Sequence, residues 1–296
     1  MAKLGFLGLG LMGYPMAEHL LAAGHQVALW SHTSAKARKL AKKAGGRYCA
    51  TPRRVGEFAE CVFLCVGNTE MSESVLLGKD GVIEGIAPEA VVADCSTIAP
   101  SAARRMAKVF EKKKAFFLDA PCTGSTPGAT GGTLTFMVGG RKKVFERVKE
   151  YFLPMGKTLF YCGKQGMGLH AKLSQNLILS NMLQGFIEGM VLATKAGVNP
   201  RLMFEVLDAS AAKAGLISFK APAVFARKFD AAFPLKWMYK DVGLILETGR
   251  ELNVPLPNTG LVHEIFAASV AKGRGDEDMC AAIKLFEEWA GVEVKA

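Results

Sequence analysis

The sequence predicts an α/β domain over residues 1–163, built on a doubly wound and mostly parallel sheet. An all-helical domain over 164–296 is expected to follow, with a long interdomain helix joining the two. Three observations lead there. Short apolar runs alternate with helical stretches as far as Cys162, the pattern of successive βαβ units. A glycine-rich turn, GLGLMG at 8–13, separates the first run from the first helical stretch. After Gly163 the periodicity is helical and no convincing strand remains.

In chain order, KLGFLG (3–8) reads as a short buried strand that runs directly into the glycine turn. PMAEHLLAAG follows as a helix ended by Gly24, and QVALW (26–30) is a second strand. Strand, glycine turn, helix and strand within about 30 residues is the context that gives GxGxxG its meaning. Gly8 permits the tight turn, Gly10 lets backbone approach a pyrophosphate, and Gly13 lets helix and strand pack closely. The phosphates then rest on N–H groups at the helix N-terminus. This predicts a Rossmann-type dinucleotide site with Gly8, Leu9, Gly10, Leu11, Met12 and Gly13 as its phosphate-facing turn.

The end of the second strand bears on which dinucleotide binds. An NAD-selective site usually places Asp or Glu there, to hold the ribose 2′-hydroxyl. Here Ser31, His32 and Thr33 are followed by Lys36 and Arg38, so no carboxylate repels a 2′-phosphate and hydroxyl and basic groups can bind one. NADP is the expected cofactor. No arginine occupies 31–33, which leaves NAD open.

Further strands are expected at 61–66, 91–95, 115–119, 134–138 and 158–162, with helices at 34–44 and 100–113 among them. Functional loops in such sheets lie at the C-terminal ends of strands. That gathers Val66, Asn68, Ser96, Thr97 and the segment from Pro121 around one crevice. Asn68, Ser96 and Thr97 equally suit helix caps or turns.

No proline lies between 154 and 200, so one helix should run from about 168 to 196. Its apolar residues fall on nearly every face, which predicts burial all round. Lys172 and Asn176 stand at i and i+4 and point the same way. Two readings of Lys172 compete: a lysine that snorkels to water or meets a carboxylate, and one that exchanges a proton with a bound substrate. A helix from Pro200, a less regular stretch through 233, a helix containing Lys240 and Asp241, and two helices near 259–272 and 276–290 complete the chain.

Half of the residues are hydrophobic and 22% are charged, an ordinary globular composition. No apolar run is expected to span a membrane, since Asn181, Gln184 and Glu188 break the stretch at 177–193. The N-terminus lacks a cleavable apolar leader, and seven cysteines form no CxxC pair; a reducing, cytoplasmic setting is expected. Five scattered histidines predict no metal site. The net charge of +10 resides mainly on predicted helices, without aromatic interleaving, so no nucleic-acid partner is expected. The basic field instead suits an anionic cofactor or substrate.

Five motifs in order resemble those of the β-hydroxyacid dehydrogenases, across about residues 3–290. GFLGLGLMGYPMAEHL resembles the family's dinucleotide fingerprint and DCSTIAPSAARRMA its cofactor-edge segment. DAPCTGSTPGATGGTLTFMVGG is similar to its substrate-binding loop and following strand. GMGLHAKLSQN resembles the segment carrying its catalytic lysine, and FPLKWMYKDVGLILE its second-domain segment with a Lys-Asp pair. The resemblance implies NAD(P)-dependent interconversion of a small β- or γ-hydroxy acid, or glycolate, with its semialdehyde or 2-oxo acid. Within the family, SHTSAK and FPLKWMYKD look closest to the NADP-linked glyoxylate and succinic semialdehyde reductases. The relatives acting on 3-hydroxyisobutyrate or tartronate semialdehyde are the alternative.

The same resemblance implies roles. Lys172 gives or takes the proton, and Asn176 bonds substrate or orients the lysine. Thr123 and the backbone of Gly124 and Ser125, with Ser96 nearby, grip the substrate carboxylate. Lys240 contacts cofactor or carboxylate, and Asp241 completes the substrate side by fixing it. Phe233 and Trp237 suit an apolar wall or plain core packing. The site is expected between the domains, and a homodimer or homotetramer is expected by analogy. The chain departs from the family in reading Thr-Gly-Ser where Ser-Gly-Gly is common, which narrows the pocket and adds a donor. His170 has no assigned role. An imine reductase or a non-catalytic NADP-binding module are the rival readings; Lys172, which such relatives tend to replace, argues against both.

Overall fold

The computed structural model describes residues 1–296 and divides into two compact units, Met1–Lys172 and Leu173–Ala296. In the first unit the strands are β1 (Lys3–Leu7), β2 (Gln26–Trp30), β3 (Arg47–Tyr48), β4 (Cys61–Leu64), β5 (Val91–Asp94), β6 (Phe116–Asp119), β7 (Cys122–Thr123), β8 (Leu134–Gly139) and β9 (Gly156–Gly163). The helices between them are α1 (Gly13–Ala22), α2 (Ser34–Ala44), α3 (Pro52–Phe58), α4 (Thr69–Leu77), α5 (Val82–Gly85), α6 (Pro100–Lys112), α7 (Ser125–Thr130) and α8 (Lys142–Val148). Strand order is β3-β2-β1-β4-β5-β6-β8-β7, with β9 beside β8. The first six strands pair in parallel, as expected. At the far edge β8 runs antiparallel to β6 and β7 and parallel to β9.

Period-two alternation along the strands divides the apolar residues between the two faces of the sheet. Leu4, Phe6, Val27, Leu29, Phe63 and Val91 pack on one side with Met16 and Leu20 of α1 and Leu40 of α2. Leu7, Ala28, Val62, Leu64 and Val92 pack on the other, with Val55 of α3 and Met106 and Phe110 of α6. Burial on both faces is why these strands read as continuous apolar runs. The two-residue strands β3 and β7 and the short helices α3, α5, α7 and α8 leave no such signature and were not expected.

The long helix, α9, spans Met167–Lys195, within a residue of the expected bounds at each end. The division between the units falls inside it. The second unit continues with α10 (Pro200–Asp208), α11 (Gly215–Phe225), α12 (Leu235–Glu251), α13 (Pro257–Ser269) and α14 (Ile283–Ala290). Its core joins Leu183, Ile187 and Met190 of α9 to Met238, Val242, Val262, Phe266 and Ile283. A single bridge between Pro234 and Asp278 is its only extended pairing.

Three expectations need correction. The stretch before 233 contains α11, a full helix, hidden by its interior Pro222, which cannot donate to the helix ladder. Within the chain α9 is not buried all round: Ile178 is 58% and Leu192 72% exposed, and Met182 is also open. Finally, α9 is long and apolar enough, by length and composition alone, to cross a membrane. Its Leu183, Phe186, Ile187 and Met190 are nevertheless spent on the helical core.

Candidate active site

The glycine turn has the geometry its spacing predicts. Gly8 adopts φ +89°, and a Cβ there would lie 2.2 Å from the Cys65 carbonyl oxygen, because the ends of β1 and β4 touch. A Cβ on Gly13 would fall 1.9 Å from the Gly8 carbonyl oxygen, so only glycine lets α1 start this close to the strand. Gly10 is different: a Cβ there meets nothing within 4 Å. The open side of Gly10, at the head of α1, is where backbone can approach a diphosphate. Leu9 is buried beneath the turn and Leu11 is exposed above it. Met12 directly precedes α1. These residues fit the pyrophosphate of a dinucleotide.

At the end of β2, Ser31 is buried while His32, Thr33 and Lys36 are exposed, with Thr33 at the N-cap of α2. At the next strand ends, polar groups hold one another. The Val66 N–H donates to Ser96 Oγ at 2.9 Å, and the Ser96 N–H donates to Asp94 Oδ1 at 2.9 Å. Ser72 Oγ donates to the other Asp94 oxygen. Asn68 is the N-cap of α4, accepting from the Met71 N–H at 2.9 Å. The cap and turn jobs foreseen for Asn68 and Ser96 are thus present, and Ser96 retains a hydroxyl proton to donate. Thr97 lies just beyond Ser96, half-buried.

The expected carboxylate grip sits on β7 and the start of α7. Thr123 pairs with Thr135 of β8. Gly124 has φ +131°, and Ser125 follows with φ +55°, a left-handed conformation uncommon for a residue with a side chain. Such strain is retained where the surrounding structure over-determines the backbone. Lys172, on the second turn of α9, is 93% buried, at 7% exposure. Burial pushes the nearby Cys122 thiol up to about 11, with Lys172 opposing the rise. At 7% exposure Lys172 does not snorkel to water.

Asp119, at the end of β6, received no role from the sequence. Its Oδ1 accepts from the Gly166 N–H at 2.7 Å and from Gln165 Nε2 at 2.8 Å, and Oδ2 accepts from the Leu169 N–H at 2.9 Å. Burial raises its pKa to about 6 despite these backbone donors, which pull it down. His170 turns toward Arg104 of α6. A cavity of about 470 Å³ between α6, α8 and β9 is lined by Arg104, Lys108, Arg141, Lys142 and Lys164 and includes none of the expected site residues.

In the second unit, Asn176 is 1% exposed and donates from Nδ2 to Asp241 Oδ2 at 2.7 Å. Asp241 Oδ1 lies 2.7 Å from Lys240 Nζ in an ion pair but accepts no hydrogen bond. Phe233 belongs to another set of contacts. Its N–H donates to Asp278 Oδ2 at 3.1 Å, and its ring packs partly on the helical core. Asp278 forms a buried ion pair with Lys220 at 2.8 Å. The sequence pointed to neither partner.

Residues 3–163 match the family described as the NAD binding domain of 6-phosphogluconate dehydrogenase. Residues 166–286 match that described as the NAD-binding domain of NADP-dependent 3-hydroxyisobutyrate dehydrogenase. The 2-(hydroxymethyl)glutarate dehydrogenase of Eubacterium barkeri is 35% identical over 99% of this chain and 97% of its own. The chain belongs to the β-hydroxyacid dehydrogenase family. Another relative, the chloroplastic glyoxylate/succinic semialdehyde reductase 2 of Arabidopsis thaliana, is 33% identical over 95% of this chain and 78% of its own. A crystal structure of 3-hydroxyisobutyrate dehydrogenase from Salmonella typhimurium superposes with a TM-score of 0.88 at 25% identity, covering 97% of this chain and all of that one. Membership makes the protein an NAD(P)-dependent oxidoreductase.

Proposed function

We propose that the protein reduces a small carboxylate-bearing aldehyde or 2-oxo acid with NADPH, as a glyoxylate or succinic semialdehyde reductase, and runs the reverse oxidation when ratios demand. The observation that carries this reading is the burial of Lys172 near the β7 loop. Bound nicotinamide supplies a hydride at C4. As the carbonyl oxygen of the substrate gains negative charge, Lys172 stabilises it and hands over a proton. Thr123 and the N–H groups of Gly124 and Ser125 hold the substrate carboxylate, which fixes the carbonyl for attack. Threonine in place of the commoner serine narrows this grip and favours a slim acid. Ser96 donates to substrate, while Val66, Asn68 and Thr97 shape the cofactor side. Asn176 and Lys240 are held by Asp241. The preference for NADP rests on Ser31, His32, Thr33 and Lys36, where no carboxylate opposes a 2′-phosphate. A homodimer or homotetramer would cover the exposed apolar residues of α9.

The experiment is NADPH and NADH consumption against a panel of glyoxylate, succinic semialdehyde, methylmalonate semialdehyde and tartronate semialdehyde, with Lys172→Ala run alongside. Turnover of one of them should fall about 10²- to 10⁴-fold in the variant, with NADPH binding retained. Tight NADPH binding without turnover of any would move the search to imines or to a binding role.

A further inference from the structure

We propose that Asp119 is a positioning residue for Lys172, clamping the first turn of α9 from the end of β6; this rests on the proton-transfer role given to that lysine. The first N–H groups of a helix have no partner within it, and a side chain close in sequence usually caps them. Here the acceptor comes from far along the chain. One Asp119 oxygen takes the Gly166 N–H and the other takes the Leu169 N–H, so a single rigid carboxylate spans the helix start. Gln165 Nε2 adds a third donor.

Packing locks this arrangement from the other side. A Cβ on Gly168 would fall 2.3 Å from the Met137 carbonyl oxygen, and one on Gly139 would fall 2.7 Å from both Asp119 carboxylate oxygens. The helix start therefore packs closely on the ends of β6 and β8 at Gly168 and Gly139, which leave room for the Asp119 carboxylate between. Lys172 follows Gly168 by four residues and Leu169 by three, one turn of helix beyond the clamp. A shift at the clamp is carried to its ammonium as a shift of position, and an error of an ångström in a proton donor can lower turnover about 10²-fold. Asp119 touches neither substrate nor cofactor; its effect runs through the helix.

Asp119→Asn tests this. The amide keeps the shape but replaces one acceptor with a donor, which then faces a backbone N–H. The expected result is a kcat lower by at least about tenfold with the NADPH Kd within about threefold, set against the range for a displaced catalytic group. The isotope effect with C4-deuterated NADPH should rise, because the chemical step becomes slower than release. A kcat like the wild type's, or a loss explained wholly by weaker NADPH binding, overturns the proposal. Should that variant not fold, Gln165→Ala removes the half-buried third donor and should lower kcat in the same direction; a wild-type kcat there overturns it too. Hydrogen exchange across 166–172 reads the clamp without any substrate, and undiminished protection in Asp119→Asn also overturns it. A wild-type protein that turns over none of the acids, yet loses that protection in the variant, sinks the Proposed function and keeps the clamp.

Discussion

Asn176 donates its side-chain N–H to Asp241 at 2.7 Å, and the same carboxylate holds Lys240 at 2.7 Å through its other oxygen. The Lys240–Asp241 pair expected from the sequence therefore also holds Asn176. Its centre is an anion, which would repel a substrate carboxylate, so Asp241 serves by orienting its two partners. Asp241→Ala removes the acceptor of the buried Asn176 amide and the carboxylate beside Lys240. Stability should fall by about 2–4 kcal/mol, and kcat/KM should drop further than Asn176→Ala lowers it alone. Urea unfolding with steady-state kinetics on Asp241→Ala, Asn176→Ala and the double variant checks this; additive losses would show that the three do not act together.

Gly10 and Gly13 should separate binding from folding. The added methyl of Gly10→Ala meets no protein atom within 4 Å, whereas that of Gly13→Ala meets the Gly8 carbonyl oxygen at 1.9 Å. Gly10→Ala should keep the wild-type Tm and weaken NADPH by at least about tenfold, because the methyl fills the space a phosphate would take. Gly13→Ala should lower the Tm by several degrees, as overpacking of about 1–3 kcal/mol does. Calorimetric unfolding and NADPH titration of both variants decide it; equal effects on Tm would mean that the space over Gly10 has no special use.

Asp119 also gives the stability a pH signature. Burial raises its pKa from 3.8 to about 6 in the folded state. Below about pH 4 both states hold the proton. Between about 4 and 6 the folded state holds it while the unfolded chain has released it, so stability falls as pH rises through that window and then levels. The whole effect is on the order of 3 kcal/mol. Asn cannot ionise, so Asp119→Asn should gain stability relative to wild type between pH 4 and 7, whatever its offset. Unfolding free energies of the two proteins across that range check the sign; a constant difference would place the carboxyl near its ordinary value.

Much of this was legible because the signals are local. The glycine turn, the apolar strands and the proline-free run of α9 each carry their own pattern. What was missed depends on distance. Asp94 and Asp119 end neighbouring parallel strands and are register partners, yet in sequence each reads as the polar stop of an apolar run. Only the fold reveals that one collects Ser72 and Ser96 and the other the start of α9. Lys220 and Asp278 lie 58 residues apart and gave no hint of pairing. The face of α9 was misread for a related reason, since apolarity shows that a surface is to be covered without showing by what.

That face supports a last prediction. Ile178 and Leu192 are 58% and 72% exposed, Met182 lies between them, and a Cβ on Gly185 or Gly189 would meet nothing within 4 Å. These residues recur at helical spacing, so they form one stripe along α9. Small residues within an apolar stripe let a second helix come close. If a second copy covers it, Ile178→Asp with Leu192→Glu should convert the protein to monomers, since burying two unpaired carboxylates costs far more than such a contact returns. Neither side chain is buried in the core of its own chain, so the isolated fold should survive. Light scattering after gel filtration, with circular dichroism as the folding control, gives the answer. An assembly of unchanged mass would mean that α9 faces water, or that the copies meet elsewhere.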